Sequence, residues 1–191
     1  MLAQPPADVD LPTFVAYIGT IWDLYWVLDD QQQALLRRES PGLFDNDVGN
    51  WGLAMAGAYH VLGDMNRARA YADSARAGFE QQLKAAPEDA QRLSLLGVAL
   101  AYLGYKAEAI KAVEQSMVVQ PMTKDAVNGP YYQHQAVRTY ILLGEYDKAL
   151  DLLEPLLKRP YFLTPAWLKI DPMFDPLRKN PRFQKLVEGT A

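Results

Sequence analysis

The side chains with the most chemistry to offer are His60 and His134, either of which could act as a base oriented by Asp23, and the adjacent pair Asp29-Asp30, whose carboxylates could ligate a metal. None of these forms a catalytic set by spacing. The histidines make no metal-binding interval, and no nucleophile, base and orienting group can be assembled around either of them. Asp29 and Asp30 also have a structural explanation, as a helix stop and the cap of the next helix, with Gln33 three residues beyond Asp30. There is no cysteine, so neither a disulfide nor a thiolate metal site is available. A glycine-rich phosphate loop followed by lysine is missing, as are the His-Arg-Asp and Asp-Phe-Gly segments of kinases. The expectation is a protein that is not an enzyme and uses no cofactor or metal.

The elements around these residues repeat. Tyr25, Leu28, Asp29 and Ala34 are followed by Tyr59, Leu62, Gly63 and Ala68, then Leu100, Leu103, Gly104 and Ala109, then Tyr140, Leu143, Gly144 and Ala149. Turn to turn the intervals are 34, 41 and 40 residues, which suits stacked antiparallel helix pairs. In each unit the large residue lies near the end of a first helix, the glycine ends it in a left-handed conformation, and the alanine lets a second helix cross closely. The expected fold is all-α, a right-handed solenoid of about four helix hairpins. A longer second helix over Ala70–Ala86, interrupted weakly by Gly78, accounts for the first extra interval, and a turn-rich insertion between Pro121 and Pro130 for the second.

These residues resemble the tetratricopeptide repeat. The third unit fits best, with Leu96 and Gly97 seven or eight positions before Gly104, Ala109 after it, and Pro121 closing the unit. Ala56 takes the small position of the second unit. Val137 in the fourth and Trp22 in the first predict wider or differently packed crossings. The stretch Leu163–Val187, with Trp167, Asp171-Pro172, Phe174, Asp175-Pro176, Leu177, Arg178, Pro181, Arg182 and Phe183, resembles tetratricopeptide regions of bacterial signalling proteins, where they follow a serine/threonine kinase, a nucleotide cyclase or a winged-helix domain. The resemblance implies partner recruitment or regulation, by a separated module or a stand-alone relative.

The family's inner-groove positions fall on Asp23 and Trp26, on Asn50, Leu53 and His60, on Gln91, Ser94, Val98 and Tyr102, and on Tyr131, His134 and Arg138. The resemblance implies that they line a concave surface for a peptide or protein segment, with Arg138 as the contact for an acidic group. Trp26, Leu53, Val98 and Tyr102 can equally pack between helices. The lysine- and asparagine-rich clamp that holds chaperone tails in some relatives is missing, since the matching positions carry Gly57, Val98, Ser94 and His134.

Half of the residues are apolar and the formal net charge is −4, a balance that selects neither nucleic acid nor a membrane as partner. Phe14–Leu28 is apolar and aromatic, but it contains Asp23 and is too short for a membrane span, so one packed helix is expected there. Neither a positive cluster before it nor a cleavage site after it suggests a secretory signal, and a cytoplasmic location is expected. Residues 1–10, with Pro5 and Pro6, read as a flexible lead, 11–159 as the repeat domain, and 160–191 as a cap on the same domain. In the cap, Thr164-Pro165, Asp171-Pro172, Asp175-Pro176 and Asn180-Pro181 can each start a short helix. Basic residues such as Lys158, Lys169, Arg178 and Arg182 lie among the cap's aromatics, but capping contacts explain those aromatics better than a nucleic-acid surface does. Two other readings are self-association through Trp22, Tyr25 and Trp26, and a small-molecule hydrolase using the groove His and Asp residues.

Overall fold

The computed structural model describes residues 9–188, apart from the Trp22 side chain. The flexible lead expected over residues 1–10 therefore falls almost wholly outside the described residues, as do the last three residues of the expected cap. All regular structure among the described residues is helical: α1 (Leu11–Thr20), α2 (Asp30–Leu36), α3 (Val48–Val61), α4 (Met65–Ala85), α5 (Ala90–Leu103), α6 (Lys106–Val119), α7 (Gly129–Leu142), α8 (Tyr146–Leu156), α9 (Pro165–Ile170) and α10 (Pro181–Glu188), with 3-10 segments at Ile21–Val27, Pro41–Phe44 and Pro172–Leu177. Among the described residues no helix is long and apolar enough to cross a membrane. The contacts divide the chain into two compact units, Met1–Gln81 and Gln82–Ala191.

In the first unit, Asp10 caps α1 by accepting from the Thr13 amide at 2.9 Å. The single helix expected over Phe14–Leu28 is instead broken. The Thr20 hydroxyl donates back to the Ala16 and Tyr17 carbonyls at 3.2 and 3.0 Å, a bond that competes with helix continuation. The chain then tightens into the 3-10 segment, where Asp23 sits at φ 59°. The repeat turn at Asp29 also differs from expectation. Asp29 has φ −71° and is itself the N-cap of α2, in a reciprocal capping box with Gln32, so the cap lies one residue earlier than Asp30 and Gln33 suggest. Gln33 is buried and donates to the Tyr25 carbonyl.

Helices α3 and α4 meet backbone to backbone. A Cβ on Gly52 would lie 2.7 Å from the Ala75 amide nitrogen, and one on Gly78 would lie 2.5 Å from that of Gly49. Gly78 is thus a point of contact within a continuous 21-residue helix. That helix supplies the extra length read from the repeat interval.

In the second unit the hairpins form as the spacing predicts. Gly104 and Gly144 end α5 and α7 at φ 81° and 74°, and Gly63 ends α3 of the first unit at φ 75°. Ala109 and Ala149 are fully buried. A Cβ on Gly97 would meet Val113 Cγ1 at 2.3 Å, which explains the small residue before the turn. Helix α5 packs on α6 and on α7, α6 also packs on α7, and α7 packs on α8. Two hydrogen bonds tie neighbouring helices together: Ser116 Oγ donates to the Ala90 carbonyl at 2.7 Å, and the Tyr140 hydroxyl to Glu114 Oε1 at 3.0 Å. Lys106 pairs with Glu145 across successive turns.

The C-terminal segment covers α7 and α8. Leu163, Leu168, Met173, Phe174, Leu177 and Phe183 share one buried cluster with Val137, Ile141, Leu150, Leu153 and Leu156. Thr164 caps α9, Asp171 caps the 3-10 segment Pro172–Leu177, and Asn180 Oδ1 accepts from the Arg182 amide at 2.9 Å at the start of α10. The fourth expected start does not occur. Pro176 lies inside the 3-10 segment, and the Asp175 carboxylate accepts from Arg178 Nε at 2.7 Å instead of capping.

Candidate functional site

Helix α7 carries the densest set of polar side chains held away from solvent. Gln133, His134, Gln135, Arg138 and Thr139 are all buried. Burying polar groups is costly unless they are hydrogen-bonded. Gln133 Nε2 donates to the Leu152 carbonyl at 2.7 Å, which fixes α7 to α8. Arg138 Nη1 donates to Gln135 Oε1 at 2.8 Å, one turn back on the same helix. His134 Nδ1 lies 3.3 Å from the Tyr161 hydroxyl.

The imidazole also sits inside a group of rings. Phe162 approaches it edge-on at 5.5 Å and Phe174 lies nearly parallel at 6.5 Å. From there the contacts continue through Tyr161–Phe162 at 4.4 Å, Phe162–Trp167 at 5.0 Å and Phe174–Phe183 at 6.0 Å. Most of these rings belong to the C-terminal segment. His134 is therefore a packing and hydrogen-bonding anchor for the cap.

The other groove positions separate by burial. In the second unit, Ser94, Val98 and Tyr102 of α5 are buried along with His134 and Arg138, whereas Gln91 is exposed and Tyr131 half-buried. The Ser94 hydroxyl donates to the Gln91 carbonyl at 2.7 Å. Tyr131 meets Tyr132 edge-on at 6.0 Å. In the first unit, Leu53 is buried, and Asp23, Trp26, Asn50 and His60 are half-buried. Asn50 is occupied at the start of α3, where its Nδ2 donates to Asp47 Oδ2 at 3.0 Å. Tyr25 is buried and Trp26 half-buried; on α1 the apolar residues left exposed are Leu11 and Tyr17.

No protein-family model matches the chain, and no curated protein matches it.

The shifted acidities follow the helix contacts. Desolvation, then hydrogen bonding to Glu114, pushes the Tyr140 phenol up to about 12. Burial raises Tyr132, helped by the charges of Asp125 and Asp89. Asp125 moves the other way, to about 2, because its carboxylate accepts from the Asn128 amide, the Asn128 side chain and the Val127 amide. That carboxylate organises the insertion between α6 and α7. Among the described residues no three of His, Asp and Glu gather where they could hold a metal ion.

The sequence reading missed Gln135 and Tyr161, the partners of Arg138 and His134. Gln135 could have been found from its i,i+3 spacing to Arg138 on a helix. Tyr161 could not, because it reaches His134 only through the chain reversal after α8.

Proposed function

We propose that this chain is a tetratricopeptide-type scaffold that recognises a protein segment and carries no chemistry of its own. One observation bears most of the weight: in the second unit, first helix packs on first helix, α5 on α7, while α6, the second helix of one hairpin, packs on α7, the first of the next. Hairpin stacking of this kind orders the first helices in advance, and the surface they keep at Gln91 and Tyr131 loses little entropy when a segment binds. The glycine turns at Gly104 and Gly144 and the buried alanines after them support the same reading. A role in bacterial signalling or regulation, in the cytoplasm, belongs to this proposal and rests on the resemblance of the tail.

Gln91 and Tyr131 are the groove positions of α5 and α7 that keep exposed surface, so they are the contacts assigned to the segment. A photo-crosslinking amino acid at each of them, compared with one at Lys111 or Gln115 on the exposed side of α6, tests the assignment. Crosslinks to a protein segment from Gln91 and Tyr131 but not from α6 support it. Crosslinks from α6 alone, or reproducible turnover of a small molecule by the purified chain, overturn it.

A further inference from the structure

In the first unit, two arginines from different elements converge on one tyrosine. Arg37 closes α2 and Arg67 lies in the first turn of α4. Their guanidinium carbons are 5.9 and 5.4 Å from the centroid of the Tyr59 ring. Tyr71 stacks parallel to that ring at 5.4 Å, and Trp51 meets Tyr71 edge-on at 5.3 Å, so three rings lie together beneath the two cations.

The charges are poorly balanced. Arg67 pairs with Asp64 at 3.6 Å with its side chain 66 % exposed, and Asp64 is already engaged in accepting from the Arg67 amide at 3.1 Å. Arg37 makes no ion pair with a carboxylate among the described residues; its hydrogen-bond partner is the neutral Gln33 Oε1 at 3.3 Å. Bringing two cations to one ring is repulsive, and the ring's negative face offsets only part of that repulsion. A ligand carrying two negative charges would remove it, and guanidinium is the side chain best matched to such an oxyanion.

We propose that Arg37 and Arg67, gathered at Tyr59, form a binding site for a doubly charged oxyanion of the phosphate class. Free phosphate and the phosphate of a modified side chain share this chemistry. The site lies entirely in the first unit and does not depend on the segment-binding reading.

The test follows the arginine Nε–Hε signals of the full chain by NMR at constant ionic strength near neutral pH, titrating with inorganic phosphate in one arm and with a short phosphoserine peptide in the other. Saturable shifts at Arg37 and Arg67, with Arg69 and Arg76 unmoved, are expected. Arg67→Gln should weaken binding about tenfold, the loss of one charge-assisted contact. Asp64→Asn, whose side-chain oxygen can still cap α4, should tighten it by removing the competing carboxylate. Tighter binding of the phosphoserine peptide identifies a modified protein as the source, and equal or tighter binding of inorganic phosphate identifies the free ion. Shifts that do not saturate or that Arg69 and Arg76 share, or affinities unchanged in both variants, overturn the proposal.

Discussion

The Nδ1 atom of His134 and the hydroxyl of Tyr161 lie 3.3 Å apart, joining the middle of α7 to the segment that covers it. His134 thus contributes to holding the fold through its Nδ1 side and its ring contacts. Replacing His134 with Ala removes this bond and opens a cavity among Phe162 and Phe174, and should cost about 2–4 kcal/mol. Tyr161→Phe, which keeps the ring, should cost about 0.5–1.5 kcal/mol. Urea unfolding of both variants measures the difference, and equal losses would mean that the rings contribute nothing beyond the hydrogen bond.

Arg138 and Gln91 separate stability from recognition. Arg138 is 3 % exposed and bonded to Gln135, so Arg138→Ala, which removes buried packing and leaves Gln135 without this donor, should destabilise by about 1–3 kcal/mol. Gln91→Ala, at an exposed position, should stay within about 0.5 kcal/mol of the native chain and weaken segment capture if the proposed face is right. Thermal melts alongside the crosslinking experiment decide this. An Arg138→Ala chain of native stability would contradict the structural role of that side chain.

Gly78→Ala sets helix propensity against packing. At an open helix position the change should stabilise by about 1 kcal/mol. Here the new methyl would lie 2.5 Å from the Gly49 amide nitrogen, and forcing α3 and α4 apart should turn the gain into a net loss of about 1–3 kcal/mol. The sign of the change in denaturation midpoint is the readout.

Asp125 predicts a pH dependence. Its carboxyl falls from an ordinary 3.8 to about 2 on folding, so the folded state binds this proton more weakly than the unfolded state does. Its contribution is present in full above pH 3.8 and is lost as pH falls towards 2. Asp125→Ala should therefore flatten the melting-temperature profile in that window and leave its shape near neutral pH unchanged. Identical profiles for the two chains would remove Asp125 as the organiser of the insertion.

Arg182 pairs with both Asp151 at 2.8 Å and Glu154, one turn apart on α8. With its side chain 38 % exposed, the clasp is screened by solvent and weakens with salt. Arg182→Met should make the bend at Leu157–Leu163 more susceptible to limited proteolysis at low salt, a difference that disappears at high salt. Cleavage that is equally slow in both chains would leave the apolar contacts of Phe174 and Phe183 as the whole attachment of the cap.

What the residues alone determined was local. The turns at Gly63, Gly104 and Gly144, the small residues at Gly97, Ala109 and Ala149, and the starts at Thr164-Pro165 and Asn180-Pro181 follow from backbone preference and helix spacing, which act over a few residues. The long α4 was legible for the same reason. Neighbouring side chains bear on other points: the first helix ends at Thr20, whose hydroxyl bonds back to its last turn, at a place its composition did not mark, and Gln32 took the capping box that Gln33 seemed to offer.

Only tertiary structure decided which polar residues face solvent. Ser94, Tyr102, His134 and Arg138 belong to the same set of expected groove positions as the exposed Gln91, yet helices and rings distant in sequence bury them. The pairing of Arg37 with Arg67 at Tyr59 likewise has no sequence signature, because three elements must fold together before two like charges are held at one ring. Periodicity encodes the direction in which a side chain leaves its own helix; what it meets there depends on the rest of the chain.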